Sequence, residues 1–306
     1  MEEEEKLTEI NANKNVSLGK YKFSGHETFA FRHGWLKKAV DCVLTDPKIF
    51  GKEEAIVVFG VGKNMVKSIK YWGLATSVLS VDKTDLKVTN LGSKLLVEWD
   101  PYLEDPASLW LIHWLLATNP SRAAVWYLAF NKYPSPDFTK NQLLDYFIDI
   151  TRFHNLNVNS NTIRRDIDCF IRTYLPAKLN KASMEDTFSC PLNELMLLNQ
   201  LHDGDSYQFN IGPKNSLPKE VVGFAMLDFI SNFQNNRKTI SVSDCLYREG
   251  SPGQVFKLDE NCLIEYIEKL SELTNGAIEL DETAGLKQIY SKTEYIPQRL
   301  LNSYFS

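Results

Sequence analysis

Three lysines, Lys63, Lys67 and Lys70, recur at i, i+4 and i+7 within one segment, with Asn64 and Tyr71 beside them. On a helix this spacing gathers the lysines on one face, while Met65, Val66, Ile69, Trp72 and Gly73 fall on the other. Like charges at helical neighbours repel by roughly a few tenths of a kcal/mol per pair, so helix stability does not favour such a stripe. A polyanion does, and the phosphate backbone of nucleic acid is the commonest one. Lys83 and Lys87 follow shortly after, placed to reach an adjacent groove or backbone. Asn64 and Tyr71 are the side chains suited to base edges. Further along, Arg164, Arg165 and Arg172 form a weaker basic face, diluted by Asp166 and Asp168 at pairing distance on a helix.

The run Ser24–Trp35 packs His26, Glu27, Arg32 and His33 among aromatic residues. One reading is a buried carboxylate–histidine–arginine network serving as an active or ligand site. The plainer reading, in which Glu27 and Arg32 pin an N-terminal arm while the aromatics fill grooves, is the expected one.

The elements that position these groups follow from apolar periodicity and from breakers. Trp35–Leu44 shows a one-face helical period that Asp46-Pro47 ends. Ala55–Phe59 is a short helix, Gly60–Gly62 a turn and Lys63–Trp72 a third helix. Val78–Val81 and Leu86–Thr89 flank a four-residue turn as a hairpin. Three helices followed by a hairpin is the winged helix-turn-helix order. A short helix from Leu91 to about Trp99 comes next. Ala107–Ala117 is apolar on all sides and reads as a buried helix, with Arg122–Phe130 after it. Pro134-Ser135-Pro136 marks a domain boundary. Thr139 and Gln142 form a capping box that opens a helix to about His154, and Asn159–Thr162 caps the helix carrying Ile163, Ile167 and Tyr174.

Beyond it, Lys178–Leu217 reads as loop-rich, with one short helix at Leu192–Gln200. Val221–Phe233, Ser241–Tyr247 and Asp259–Leu273 read as helices, Gly250–Gly253 as a turn, and Ala277–Leu280 with Lys287–Tyr290 as a closing hairpin. The expected fold is therefore mainly α with small β-hairpin wings: tandem winged helix-turn-helix-like units joined by helices. Its parts are a disordered acidic tail at 1–20, an N-terminal unit at 21–133, a second helix-turn-helix-like unit with connector at 137–216, and a C-terminal winged-helix-like unit at 217–306. The last unit's long helix carries Glu265, Glu268 and Lys269, a mixed face that suits protein packing or a homo-oligomer better than DNA.

Several enzyme signatures fail on spacing. Gly62-Lys63 lacks the first glycine of a phosphate loop, since position 57 is Val57, and Asn64 stands where Ser or Thr is needed. His26-Glu27 and His33 are too far apart for a zinc-protease helix. The five histidines are dispersed and the five cysteines form no CxxC pair, so neither a metal nor a cofactor is expected. The 306 residues, 43% hydrophobic and 24% charged, suffice for two or three packed units. A net charge of -5 excludes a globally basic nucleic-acid coat but not a local basic face, because part of the acidity lies in the tail run Glu2–Glu5. With no secretory start and no span of about 20 apolar residues, a cytoplasmic chain without membrane contact is expected.

Several blocks resemble the domain-of-unknown-function 4007 family. They are Gly25-His26-Glu27-Thr28-Phe29 with Arg32 and Gly34-Trp35-Leu36-Lys37-Lys38, Gly60-Val61-Gly62-Lys63-Asn64-Met65-Val66, Asp100–Pro106, Trp110–Leu116 and Ser251–Phe256. The similarity runs from about Tyr21 to the C-terminus. The family carries no assigned catalytic residues to transfer. What the resemblance implies is context: accessory proteins of bacterial mobile or defence gene clusters, beside phosphoadenosine-phosphosulfate-reductase-like proteins, as in DNA phosphorothioation. The expected function is a non-enzymatic DNA-binding subunit of such a system, with double-stranded DNA and other complex components as partners. The alternative is a scaffold that holds a sulfur-transfer or nuclease partner without touching DNA.

Overall fold

The computed structural model describes residues 21–176, 190–233, 239–283, 285–291 and 297–306. The acidic run Glu2–Glu5 and the rest of the expected tail lie outside them. The chain is mainly helical, with three small sheets among the described residues. The described residues divide into two compact units, one within 21–129 and 133–208, the other within 130–132 and 209–306.

In the first unit, helix α1 (Trp35–Thr45) buries Trp35, Leu36, Ala39, Val40 and Val43, the face its periodicity marks. Helix α2 (Ala55–Phe59) ends at Gly60, whose left-handed φ of 65° reverses the chain into helix α3 (Lys63–Ala75). Helix α3 buries Val66, Ile69, Trp72 and Gly73 and leaves Lys63, Asn64 and Lys67 exposed. A methyl group at Gly73 would sit 2.7 Å from the Leu79 side chain, so a bare Cα lets the hairpin close on the helix. The hairpin itself, β1 (Leu79–Asp82) and β2 (Asp85–Val88), pairs Leu79 with Val88 and Asp82 with Asp85. Helix, helix, helix, hairpin is thus the observed order.

Thr89 then caps the short helix α4 (Asn90–Ser93), which passes into a π-helical turn at Lys94–Trp99. Asp105 caps helix α5 (Pro106–Ala117), in which every residue from Ala107 onward is buried. Helix α6 (Ala124–Asn131) follows. Strand β3 (Asp137–Thr139) leads through the Thr139–Gln142 capping box into α7 (Lys140–Phe153), and Asn159 caps α8 (Ser160–Tyr174).

The structure departs from the expected elements in three places. Where a helix was expected at Leu192–Gln200, Pro191–Leu195 is a single 3-10 turn, ended by Met196 at φ 49°. Leu198–Gln200 is strand β4, in a sheet ordered β3-β5-β4 with β5 at Ser206–Phe209. The segment after Pro134–Pro136 does not form a unit of its own. It stays with the N-terminal unit because α8 is hydrogen-bonded to the N-terminal arm and, through Tyr174, to His113 of α5 at 2.8 Å. Of the expected Gly250–Gly253 turn, Gly250 (φ 79°) does turn the chain, with the Ser251 N–H on the Arg248 carbonyl at 3.0 Å, but the rest is a helix start, with Ser251 as cap and Pro252 at the first position of α11 (Pro252–Phe256).

The second unit builds on α9 (Lys219–Phe233), with β6 (Thr239–Ser241), α10 (Val242–Tyr247), α11, α12 (Glu260–Leu273), β7 (Ile278–Thr283), β8 (Leu286–Ser291) and α13 (Pro297–Phe305). Gly223 on α9 brings that helix against Leu270 of α12 and Leu300 of α13. The closing hairpin gains a third strand, in the order β6-β8-β7. Two lysines are buried here. Lys257 donates to the Phe130 carbonyl at 2.6 Å, with its ammonium over the Phe209 ring; Lys214 donates to the Gly212 and Lys257 carbonyls. Burial lowers Lys257 to about 7 and Lys214 to about 8.

Candidate nucleic-acid interface

The site lies at the middle of α3 and is assembled by three segments distant in sequence. The first is the arm at residues 21–33, in which Ser24, Gly25, Glu27 and Thr28 all take positive φ. Left-handed backbone at non-glycine residues costs roughly 1 kcal/mol or more each, so the surroundings must hold this conformation. They do so through backbone groups. Ser24 donates its N–H to Asp166 Oδ2 at 2.6 Å, and Arg172 donates to the Thr28 carbonyl at 2.6 Å. The Phe29 carbonyl accepts from Trp72 Nε1 at 3.1 Å and from Cys169 Sγ at 3.3 Å.

His26, buried to 2% exposure, is the central pin. Its Nε2 stands 2.8 Å from Asp166 Oδ1, and its Nδ1 accepts the Thr28 N–H at 3.0 Å. Burial works against an imidazolium here, while Cys169 and Asp166 beside the ring outweigh it and push the group from 6.5 up to about 10; the hydrogen bond at Nδ1 opposes that push. The Thr28 N–H decides the matter, since an Nδ1 that accepts a hydrogen bond carries no proton. His26 is therefore the Nε2–H tautomer, donating to a carboxylate. Histidine, aspartate and cysteine thus meet as in a nucleophilic triad, but Cys169 is fully buried and both imidazole nitrogens are occupied. The group holds the arm.

The second segment is the α5–α6 turn. Asn119 donates from its side chain to the Ala75 carbonyl at 3.0 Å, fastening this turn to the end of α3. The arm is laced to the same turn by Lys22 N–H to Pro120 O, 3.1 Å, and Ala124 N–H to Lys22 O, 3.2 Å. Lys22 and Arg122 are thereby brought beside α3, the third segment. The result is a cavity of about 180 Å³ lined by Lys22, Ser24, Gly25, Lys67, Lys70, Tyr71, Leu74 and Arg122. Gly25 is required in this wall: its φ is 113°, and a methyl group there would lie 2.7 Å from the Tyr71 ring. Burial, then Asp166 and Cys169, raise Tyr71 well above the ordinary phenol range, with Arg122 opposing, so its hydroxyl stays a donor.

Of the sequence candidates, Lys67, Lys70 and Tyr71 meet at this cavity, whereas Lys63 and Asn64 are exposed one turn earlier on α3. Tyr71 lies against Gly25 and edge-on to His26 as part of the wall. Lys83, at φ 56° in the hairpin turn, and Lys87 on β2 are exposed outside the wall. Arg164 and Arg165 are exposed on α8, while Asp166 turns inward to His26 and Asp168 binds Lys140 at 2.6 Å. The alternative reading of His26, Glu27, Arg32 and His33 as one network does not describe a single cluster. Glu27 approaches Lys67 at 3.5 Å, Arg32 lies over the Phe29 and Trp35 rings, and His33 is exposed. Sequence reasoning missed Lys22, Arg122, Asp166 as the histidine's partner, and Cys169. No local spacing links them, since 140 residues separate His26 from Asp166.

Among the described residues, Lys22, Lys70 and Arg122 make no ion pair, and no three His, Cys, Asp or Glu side chains gather to hold a metal ion. No helix of the described residues is long and apolar enough to cross a membrane. All five cysteines are free.

Two solved structures match the chain, described as "SspB crystal structure" and "Magnesium ion-bound SspB crystal structure". Each has 30% sequence identity and a TM-score of 0.84, and each match covers 94% of this chain and 88% of the other. Comparison with curated proteins gives no match. The family model described as "Protein of unknown function (DUF4007)" matches residues 23–305, and the chain belongs to that family.

Proposed function

We propose that this protein binds DNA through the lysine face of α3, as an accessory or regulatory component of a bacterial defence or DNA-modification system of the phosphorothioation type. The observation that carries the proposal is the convergence of Lys22, Lys67, Lys70 and Arg122 from three chain segments on one concavity. Four cations, of which only Lys67 has a carboxylate beside it (Glu27 at 3.5 Å), face a common cavity and form an anion site, and phosphate is the anion nucleic acid supplies. In this account α2, the Gly60 turn and α3 serve as a helix-turn-helix, and β1–β2 serves as its wing, carrying Lys83 and Lys87 to flanking phosphates. Exposed Asn64 is the side chain on α3 free to reach a base edge. Tyr71 is held in the cavity wall against Gly25 and is assigned to the wall rather than to a base edge. The role given to this face is binding, and the defence setting follows from the family resemblance alone.

The test is direct titration of the full chain with a short labelled duplex at low and at physiological salt. Binding that weakens steeply with salt supports the proposal, and an absence of binding at low salt contradicts it.

One observation favours the scaffold as a second reading. Val57 is 82% exposed on α2, flanked by the exposed Ile56 and Val58. An apolar run facing solvent on a short helix suits a protein partner. Stoichiometric complex formation that Val57→Lys abolishes, without change in DNA affinity, would assign that face to a partner.

A further inference from the structure

The cavity's size and charge narrow what it holds. Its volume, about 180 Å³, falls below the ~300–1,000 Å³ of sites that enclose drug-sized ligands. A whole nucleotide does not fit within it, whereas a phosphoryl group with part of its sugar does. Four cationic side chains line the wall, and two carboxylates stand by it: Glu27, 3.5 Å from the Lys67 ammonium, and Asp166, which accepts the Ser24 N–H behind the wall. That leaves a formal surplus of two positive charges. An internal phosphodiester brings one negative charge, whereas a phosphomonoester brings about 1.5 to 2 near neutral pH and three acceptor oxygens. The arm and the α5–α6 turn, laced together, form the wall of the cavity beside α3.

We infer that this cavity is a phosphomonoester site that seats the terminal phosphate of a nucleic-acid strand, with Arg122 and Lys70 as its principal ligands and Lys22 and Lys67 at its rim. The inference rests on the DNA-binding proposal and deepens it. Arg122 supplies the planar fork that pairs with two phosphate oxygens, and the lysines supply point charges. Leu74 and the Tyr71 ring offer an apolar wall to the sugar. The strand leaving the cavity would run along α3 toward Lys63.

The experiment measures binding of one labelled oligonucleotide sequence carrying a 5′-phosphate, a 3′-phosphate or hydroxyls at both ends. Inorganic phosphate and a nucleoside 5′-monophosphate serve as competitors. One phosphorylated end should bind about tenfold tighter than the hydroxyl form, the gain of one well-formed charge-assisted contact. Arg122→Gln and Lys70→Gln should each erase that preference, while Lys63→Gln should weaken all forms alike. Equal affinity for phosphorylated and hydroxyl ends in the unmodified protein overturns the inference and leaves duplex binding intact. Competition by the monophosphate, lost in Arg122→Gln, with no oligonucleotide bound, keeps the phosphomonoester site, assigns it to a free nucleotide and overturns the DNA proposal. A far-ultraviolet spectrum and melting curve for each variant exclude misfolding as the cause.

Discussion

His26 Nε2 lies 2.8 Å from Asp166 Oδ1, and this buried pair ties the N-terminal arm to α8 across 140 residues of chain. Because the Ser24 N–H uses the other carboxylate oxygen, one aspartate sets both the arm's path and the wall of the cavity. Asp166→Ala leaves His26 Nε2–H and the Ser24 N–H without acceptors in a dry site. The expected cost is about 3 kcal/mol, read as a fall in the urea midpoint at unchanged slope. Asp166→Asn, which keeps an acceptor oxygen, should cost clearly less. Equal losses in the two variants would contradict the assigned geometry.

Glu27 restrains Lys67, and both side chains are partly exposed, so their pairing is a weak brake on anion binding. Glu27→Gln should raise affinity for a short duplex by about two- to fivefold, the size of an exposed ion pair. The change should be seen at low salt and fade as salt rises. Weakened binding in this variant would place Glu27 on the ligand side of the interface instead.

Gly25→Ala should close the cavity. The added methyl group meets the Tyr71 ring at 2.7 Å on a backbone at φ 113°, so either the ring or the arm must shift. The expected result is a loss of roughly 1–2 kcal/mol in stability and at least a tenfold loss of phosphate-dependent affinity. Unchanged affinity in a folded Gly25→Ala protein would show that the cavity wall is dispensable.

The buried lysines predict a pH dependence with a defined sign. Lys257 is lowered by burial from 10.5 to about 7, and Lys214 from 10.5 to about 8. Between those values and about 10.5 the unfolded chain holds protons that the folded chain has released, so stability rises with pH through that window. Below about pH 7 both states are protonated and the full cost of burying charge is paid. Lys257→Met should therefore unfold at higher urea than the natural chain at about pH 6, with the advantage shrinking toward about pH 9. A gain independent of pH would mean that Lys257 is buried in one protonation state throughout.

Much of the architecture was legible because it is local. The apolar period of Trp35–Thr45, the Thr139–Gln142 box and the Asn159 cap each depend on residues within four positions of one another, and the structure keeps them. The wrongly expected helix at Leu192–Gln200 shows the limit: its apolar run suited either element, and pairing with β5 selected the strand. The candidate site was half legible for the same reason. Lys67 and Lys70 announce themselves by helical spacing. Lys22 and Arg122 are single cations in non-repeating segments, and they join the site only because Asn119 reaches Ala75 and the arm lies along Pro120–Ala124. Asp166 was legible as a surface partner for neighbouring arginines, yet it faces inward, because a buried histidine donor outcompetes solvent-exposed guanidinium groups for its carboxylate.

The central claim is that Lys67 and Lys70 neutralise DNA phosphates, and the salt dependence of duplex affinity tests it most directly. With both changed to glutamine, the plot of log affinity against log salt should become shallower by about two units between about 50 and 200 mM, with affinity reduced at the low-salt end. An unchanged slope in a correctly folded double variant would contradict it.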